Sequence, residues 1–401
     1  MLQAGVTRVM LDLLAGLQVE WSWEGEALVV EGRGRRGFQP PSAGDAAVLN
    51  CGNSATTLRI LTGVLAGQPD WETDSVEGEF LIDGSSQLRK RPMKRIIDPL
   101  CEMGAEIRSM ESPGFAPMAV RKSKLTGIEY RMPVASAQVK TAILLAGLTA
   151  TGSTSVEEPS PSRDHTERLL RWLGVGMELE PRRSRVYPID RPLPPLEIRV
   201  PGDFSSAAFL LVAASIVPGS DVVLRGVGLN PRRAGLLAVL RRMGADIEEQ
   251  TRSETAGETI GDLRVRAGPL AGTVIDGAEV VDMIDEFPVL AVAAASADGI
   301  TEVRNAVELR HKESDRISTL ASELRKVGVA IEETPDGFSI PGPVPIRGAL
   351  VDSHGDHRLA MSLAIAGLIS KEGVEIDGAE CISESFPSFA DLLGILGARM
   401  G

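Results

Sequence analysis

The stretch "ELRHKESDRI" gathers Lys312, Glu313, Asp315 and Arg316 within five positions. At helical spacing Lys312 and Arg316 share a face, and two cations beside a carboxylate can hold a phosphate or carboxylate group and supply a proton. Other ionisable groups stand at the ends of apolar stretches: Arg59 in "NSATTLR", Lys140 in "SAQVK", Asp285 and Glu286 in "IDEFP", and Asp356, His357 and Arg358 in "GDHR". Burying such charges unpaired is costly. Ion pairing between neighbouring units would account for any one of them, whereas the whole set, at the ends of several buried helices, suits a cleft. Helix starts rich in Ser, Thr and Asn add free backbone N–H groups and the positive end of the helix dipole. The expected chemistry is acid–base work on a bound small polyanion.

Two other motifs carry less. "GRGRRG" at 32–37 matches a dinucleotide fingerprint, but "FQPPSAGD" follows it, and Pro40 and Pro41 break the helix the fingerprint needs. His354 and His357 in "SHGDH" are three apart without a third ligand at recognisable spacing, so no metal site is expected.

The elements that must position these groups repeat. An amphipathic helix ending in glycine and entering a short strand recurs around Gly16, Gly104, Gly174, Gly244, Gly328 and Gly397. Between these lie Ala-rich, almost wholly apolar helices: "GNSATTLRILTGVLAG", "SAQVKTAILLAGL", "DFSSAAFLLVAASIV", "IDEFPVLAVAAASADG" and "GDHRLAMSLAIAGL". The alternation predicts an α/β (α+β) chain with three units around each of two cores of buried helices. A linear solenoid would use shorter repeats. The expected domains are 1–200 and 201–401, meeting where the Pro-rich "YPIDRPLPPLEIRVPGD" ends. The amphipathic helices number six and the buried ones five, so the partner of the first is expected upstream of Met1.

Composition narrows the partners. A net charge of −13 speaks against nucleic acid or an anionic membrane. No apolar run reaches the roughly 18 residues of a membrane span. Cys51, Cys101 and Cys381 are an odd number without CxxC spacing, which fits a reducing compartment. A soluble, cytoplasmic protein is expected.

Taken together, "LNCGNSATTLRILTGVLAGQ", "DGSSQLRKRPM", "SAQVKTAILLAGL", "SRDHTERLL", "VPGDFSSAAFLLVAA", "DEFPVLAVAAA", "ELRHKESDRI" and "DSHGDHRLAMSLAIAGL" resemble the 5-enolpyruvylshikimate-3-phosphate (EPSP) synthases, in the family's order from about residue 48 onward. The resemblance implies two domains, each of three βαβαββ units. It also implies transfer of the carboxyvinyl group of phosphoenolpyruvate to the 5-hydroxyl of shikimate 3-phosphate, in the shikimate pathway, by a monomer without metal or organic cofactor. Carried over by position, Asp285, Glu313 and Lys312 are the catalytic groups. Asp285 accepts the hydroxyl proton, Glu313 moves a proton at the methylene carbon and Lys312 lies near the shikimate hydroxyls. Ser136, Ala137, Gln138 and Ser162 hold the shikimate phosphate. Arg91, Arg316 and Arg358 bind phosphoenolpyruvate, with Asn53, Ala55, Thr56 and Arg59 forming the loop beside it and Gln138 reaching both substrates.

Three departures accompany the resemblance. The family's opening strand and P-G-D-K-S segment, with its lysine, serine and arginine, have no counterpart in these residues. Ala55 stands where many members have glycine, which implies weak inhibition by glyphosate. Glu384 in "ISESFPSF" lies near where some members carry a lysine, and no role is carried over to it. Two alternatives follow: a truncated or degenerate member that binds shikimate 3-phosphate without turnover, and the sister enzyme acting on UDP-N-acetylglucosamine. The sister typically carries a cysteine in the loop that reads "GSSQLRKRPM", which has none.

Overall fold

The computed structural model describes residues 5–34, 37–38, 48–67 and 79–399. Arg35, Arg36, Pro40 and Pro41, on which the rejected fingerprint turned, lie outside them. Two units, Met1–Ile198 and Arg199–Gly401, each close on their own apolar core.

In the first unit, α1 (Gly5–Gly16) leads into the hairpin β1 (Trp21–Glu24) and β2 (Ala27–Val30). Two βαβαββ copies follow. One is β3 (Val48–Asn50), α2 (Ala55–Ala66), β4 (Glu79–Asp83), α3 (Lys94–Glu102), β5 (Glu106–Ser109) and β6 (Met118–Arg121). The other is β7 (Glu129–Arg131), α4 (Ala137–Gly147), β8 (Thr154–Glu157), α5 (His165–Trp172), β9 (Met177–Glu180) and β10 (Arg183–Val186). Each copy makes a sheet in the order first, second, fourth, third strand, with the first pair parallel and the rest antiparallel.

The second unit varies the same plan. α6 (Phe204–Ile216), β11 (Asp221–Gly228), α7 (Gly235–Arg242), β12 (Asp246–Thr255) and β13 (Glu258–Arg266) form one repeat, in which a parallel bridge from Gly202 to Val227 stands for the first strand. A full copy comprises β14 (Val274–Ile275), the short insertion α8 (Ala278–Asp282), α9 (Phe287–Ser296), β15 (Gly299–Val303), α10 (Arg316–Lys326), β16 (Glu332–Thr334) and β17 (Gly337–Gly342). The last repeat has β18 (Leu350–Asp352), α11 (His357–Gly367), β19 (Glu375–Asp377) and α12 (Phe389–Ile395), without a closing strand pair among the described residues. The three units expected around each core are therefore recognisable, those at either end of the second unit in reduced form.

The amphipathic helices all end in one way. The residue two beyond the last helical position turns left-handed, its N–H bonds a carbonyl three residues back, and the next N–H bonds five back, as at Gly104→Cys101 and Ala105→Leu100. The same pair recurs at Gly174, Gly244, Gly328 and Gly397. In α1 the expectation needs correcting: Gly16 is still helical, and the left-handed position is Gln18, with φ 61°. Its bonds are equivalent, Gln18→Ala15 and Val19→Leu14. The exposed Gln18 side chain adopts there a backbone that glycine adopts without strain. Gln18→Gly is expected to raise unfolding stability by about 0.5–1 kcal/mol in urea titrations. An unchanged or lower midpoint would count against this capping account.

The apolar helices α2, α4, α6, α9 and α11 pack inside the two cores. A Cβ on Gly63 of α2 would stand 2.3 Å from the Ala142 carbonyl oxygen of α4, so these helices cross at a separation that only glycine permits. No helix among the described residues is long and apolar enough to cross a membrane.

Candidate active site

The buried helices of the first unit present their N-terminal turns to each other. Ser54 caps α2 by accepting from the Thr57 N–H, and Ser136 caps α4 by accepting from Val139 N–H. Small polar caps begin helices whose next turns are too apolar to face water. Gln138, on the first turn of α4, ties the two together. Its Nε2 donates to Thr56 Oγ1 at 2.6 Å, and its Oε1 accepts from Arg59 Nη1 at 2.6 Å. Arg59 also donates to the Pro92 carbonyl at 3.2 Å, next to Arg91. Asn53, in the turn before α2, donates to Gln87 at 3.1 Å and accepts from Ser85 Oγ at 3.0 Å. Thr56, Arg59 and Gln138 thus form one hydrogen-bonded group, with Ala55 and Ala137 on the adjoining first helical turns and Asn53 in the turn before α2. Gln87 and Ser85, which sequence reasoning did not single out, brace Asn53 from the "DGSSQLRKRPM" loop.

Lys140 was expected at the edge of a site, and the structure corrects this. Its side chain is 2% exposed, with Glu158 at 2.7 Å and Glu167 at 2.8 Å. Pairing within the core accounts for this charge. Burial works to lower its pKa, but the two carboxylates override that and raise it. Ser162, itself buried, donates its hydroxyl to Glu158.

In the second unit the charges converge on Asp285. Lys312 Nζ lies 3.4 Å and Arg316 Nη1 3.3 Å from Asp285 Oδ1. Arg316 also reaches Glu313 at 2.6 Å and, through Nε, Asp356 at 2.8 Å. The expectation that Lys312 and Arg316 share a helix face is wrong. Asp315 caps α10 by accepting from the Ile317 and Ser318 N–H groups, so the helix starts only at Arg316. Lys312 sits in extended backbone (ψ −156°) after the 3-10 turn Val307–His311. The two cations meet through their shared carboxylate.

Arg358, on the first turn of α11, stands further off: 3.9 Å from Asp285 Oδ2, 3.7 Å from Glu286 Oε1 and 3.4 Å from the Asp285 carbonyl. Glu286, buried, accepts from Ser205 Oγ, which in turn accepts from Arg233 at 3.1 Å. Arg233 also pairs with Asp203, the cap of α6. Sequence reasoning missed this chain because its members come from three separate segments.

Protonation follows from these pairs. Burial alone would raise the Asp356 carboxyl, but the Arg316 charge and hydrogen bonds hold it at about 2. Arg233 does the same for Asp203, also at about 2 against its burial. Burial, helped by Arg358, pushes His357 down to about 4, so it is neutral at pH 7. His354 contacts Glu323 at 3.1 Å, so the two histidines serve separate environments. No cluster of metal-binding side chains occurs among the described residues. The second-unit set can accept a proton at Asp285, exchange one at Glu313 and hold anions with the arginine forks.

Comparison with known proteins adds the context. A family model described as EPSP synthase (3-phosphoshikimate 1-carboxyvinyltransferase) matches residues 1–393. A 3-phosphoshikimate 1-carboxyvinyltransferase of Geobacter sp. (strain M21) is 47% identical, over 98% of this chain and 91% of its own. One from Xanthomonas campestris pv. campestris (strain B100) is 52% identical over 91% of this chain and 80% of its own. The solved EPSP synthase of Acinetobacter baumannii superposes with a TM-score of 0.87 at 38% identity, covering 100% of this chain and 89% of that one. The enolpyruvyl transferase NikO of Streptomyces tendae, at 17% identity and TM-score 0.73, shares the fold over 99% of this chain and 87% of its own.

Proposed function

This chain belongs to the EPSP synthase (3-phosphoshikimate 1-carboxyvinyltransferase) family, and from that premise we propose which of its residues carry the family's reaction. The reaction is transfer of the carboxyvinyl group of phosphoenolpyruvate to the 5-hydroxyl of shikimate 3-phosphate, with release of phosphate. The observation that carries the assignment is the convergence of Lys312 and Arg316 on Asp285, with Glu313 on the same arginine.

Asp285 takes the proton of the 5-hydroxyl as its oxygen attacks C2 of phosphoenolpyruvate, and Lys312 steadies the developing oxyanion. Glu313 gives a proton to the methylene carbon, making a methyl group in a tetrahedral intermediate. Phosphate then leaves with the C–O electrons as Glu313 takes a methyl proton back, and the vinyl double bond forms. Arg91, Arg316 and Arg358 hold phosphoenolpyruvate, because guanidinium forks stay charged and bind carboxylate or phosphate at two points. Asn53, Thr56 and Arg59 border it. Ser136, Ala137, Gln138 and Ser162 hold the shikimate phosphate, the first three at the N-terminus of α4 where the dipole attracts an anion. All these groups belong to one chain, which we propose acts as a monomer in the cytoplasm. The three free cysteines, Cys51, Cys101 and Cys381, suit a reducing compartment.

Phosphate release tests the assignment. It should require both substrates together, and shikimate 3-phosphate without phosphoenolpyruvate, or the reverse, should give none. Release with UDP-N-acetylglucosamine in place of shikimate 3-phosphate would favour the sister reaction.

Ala55 opens the first turn of α2 and is buried. Its methyl group narrows the space beside phosphoenolpyruvate against the slightly bulkier glyphosate. Ala55→Gly is expected to lower the glyphosate inhibition constant by about tenfold or more, the worth of one methyl group in a tight pocket. Equal inhibition of both forms would show that Ala55 does not set this preference.

A further inference from the structure

The second unit encloses a carboxylate that the proposed chemistry does not use. Glu286 immediately precedes α9, and its side chain is 1% exposed. It makes no capping bond to its own helix. One oxygen, Oε1, accepts from Ser205 Oγ, and the other has no hydrogen-bond partner among the described residues. A buried carboxylate kept for architecture is ordinarily bonded at both oxygens, as Asp356 is by Arg316. The cation paired with Glu286 is Arg358, whose Nη1 lies 3.7 Å from Oε1. Arg358 stands between two carboxylates, since Asp285 offers it Oδ2 at 3.9 Å and a backbone carbonyl at 3.4 Å. Asp285 is already shared by Lys312 and Arg316, at 3.4 and 3.3 Å from its Oδ1. Both carboxylate contacts of Arg358 are longer than hydrogen bonds, so most of its N–H donors remain for an anion.

From this geometry we infer that Glu286 is a positioning residue that holds the Arg358 guanidinium off Asp285 and open to phosphoenolpyruvate. The inference rests on the assignment of Arg358 to that substrate. Without an opposing carboxylate, a guanidinium already 3.4 Å from the Asp285 carbonyl and 3.9 Å from its Oδ2 closes on Asp285 and is lost to the anion. Glu286 is itself fixed from behind. Ser205, on the first turn of α6, donates to it and accepts from Arg233 at 3.1 Å, and Arg233 pairs with Asp203, the cap of α6. The row therefore runs across the N-termini of α6, α9 and α11, the three buried helices of this unit. Glu286 has two opposed effects on a bound anion, because its charge repels the anion while its hold on Arg358 presents a cation. The hold prevails, since Arg358 offsets the Glu286 charge and a two-point guanidinium contact is lost outright when the arginine turns away.

Steady-state kinetics and thermal melting of Glu286→Gln, Ser205→Ala, Arg358→Lys and the double variant Glu286→Gln with Arg358→Lys test this. Glu286→Gln keeps the shape of the side chain and removes its charge. It should raise KM for phosphoenolpyruvate about tenfold and leave KM for shikimate 3-phosphate within about twofold. Ser205→Ala frees Glu286 Oε1 without removing the charge and should raise the same KM about threefold. Arg358→Lys should raise it about tenfold or more, because an ammonium cannot bind at two points. The double variant should match Arg358→Lys alone, since Glu286 acts through that arginine. If Glu286→Gln is too unstable to purify, Ser205→Ala carries the test through the same split between the two KM values. A phosphoenolpyruvate KM that is unchanged or lowered in Glu286→Gln overturns the inference, as do effects that multiply in the double variant. A purely architectural Glu286 would lower the melting temperature and leave both KM values where they were, which also overturns it. If Arg358→Lys leaves the phosphoenolpyruvate KM unchanged, the assignment of Arg358 fails and the inference falls with it, whereas an Arg358 effect without a Glu286 effect overturns the inference alone.

Discussion

Asp285→Asn is expected to lower kcat about a thousandfold, within the range that general acid–base groups supply. The substitution keeps the shape of the side chain and removes its charge. Lys312 and Arg316, both aimed at Asp285 Oδ1, lose their shared carboxylate, and the 5-hydroxyl loses its proton acceptor. Arg316 keeps Glu313 and Asp356, so the fold should hold and the melting temperature should move little. The two KM values should change far less than kcat, because the group acts mainly as the reaction proceeds. A kcat within tenfold of the original, at normal melting temperature, would remove Asp285 from the proton-accepting role.

Asp356→Ala is expected to be the most destabilising single change in the second unit, costing about 3–5 kcal/mol in urea unfolding. Arg316 is 2% exposed on its side chain and Asp356 is fully enclosed, so the truncation leaves a buried guanidinium without the most deeply buried of its paired carboxylates. The same carboxylate accepts from the Arg358 and Leu359 N–H groups and so begins α11, adding the loss of a cap, about 1 kcal/mol. The pH dependence has a definite sign. The Asp356 pKa falls from 3.8 to about 2 on folding, so its contribution is complete above pH 3.8 and is lost as pH falls towards 2. That contribution is roughly 2–3 kcal/mol. His357, depressed to about 4, acts in the same direction over a higher range. Below its unfolded pKa of about 6.5 the unfolded chain takes up a proton that the folded chain refuses. Stability of the second unit should therefore decline from pH 6.5 downward, and Asp356→Ala should flatten the part below pH 4. A loss under about 1 kcal/mol for Asp356→Ala would contradict the buried-pair account.

How far the sequence alone reached depends on what each feature requires. The alternation of apolar and amphipathic helices was legible because burial on one face or all round leaves a local, periodic record, and the helix boundaries follow it. The left-handed position of α1 was not, because the cue used was a glycine and the chain puts Gln18 there; aligning the following Val19 with Ala105 would have found it. For the site, the residue types in "ELRHKESDRI" were legible, but their geometry was misread. A cap residue, Asp315, delays the helix and moves Lys312 off its face, an Asp-before-helix signal that was present in the sequence. Lys140 shows the other limit. Glu158 and Glu167 lie 18 and 27 positions away, so nothing local distinguishes a paired buried lysine from one waiting for a ligand.

The central claim is that this chain adds the 5-hydroxyl of shikimate 3-phosphate across phosphoenolpyruvate and then expels phosphate. The most direct measurement is one NMR experiment in D2O with both substrates and the unmodified chain. Because the methylene carbon gains a proton from a group that exchanges with solvent and later loses one, the account predicts a vinyl ether product carrying deuterium in its vinyl group, formed in step with phosphate. Phosphate appearing with pyruvate in place of a vinyl ether, or a vinyl ether free of deuterium, would contradict it.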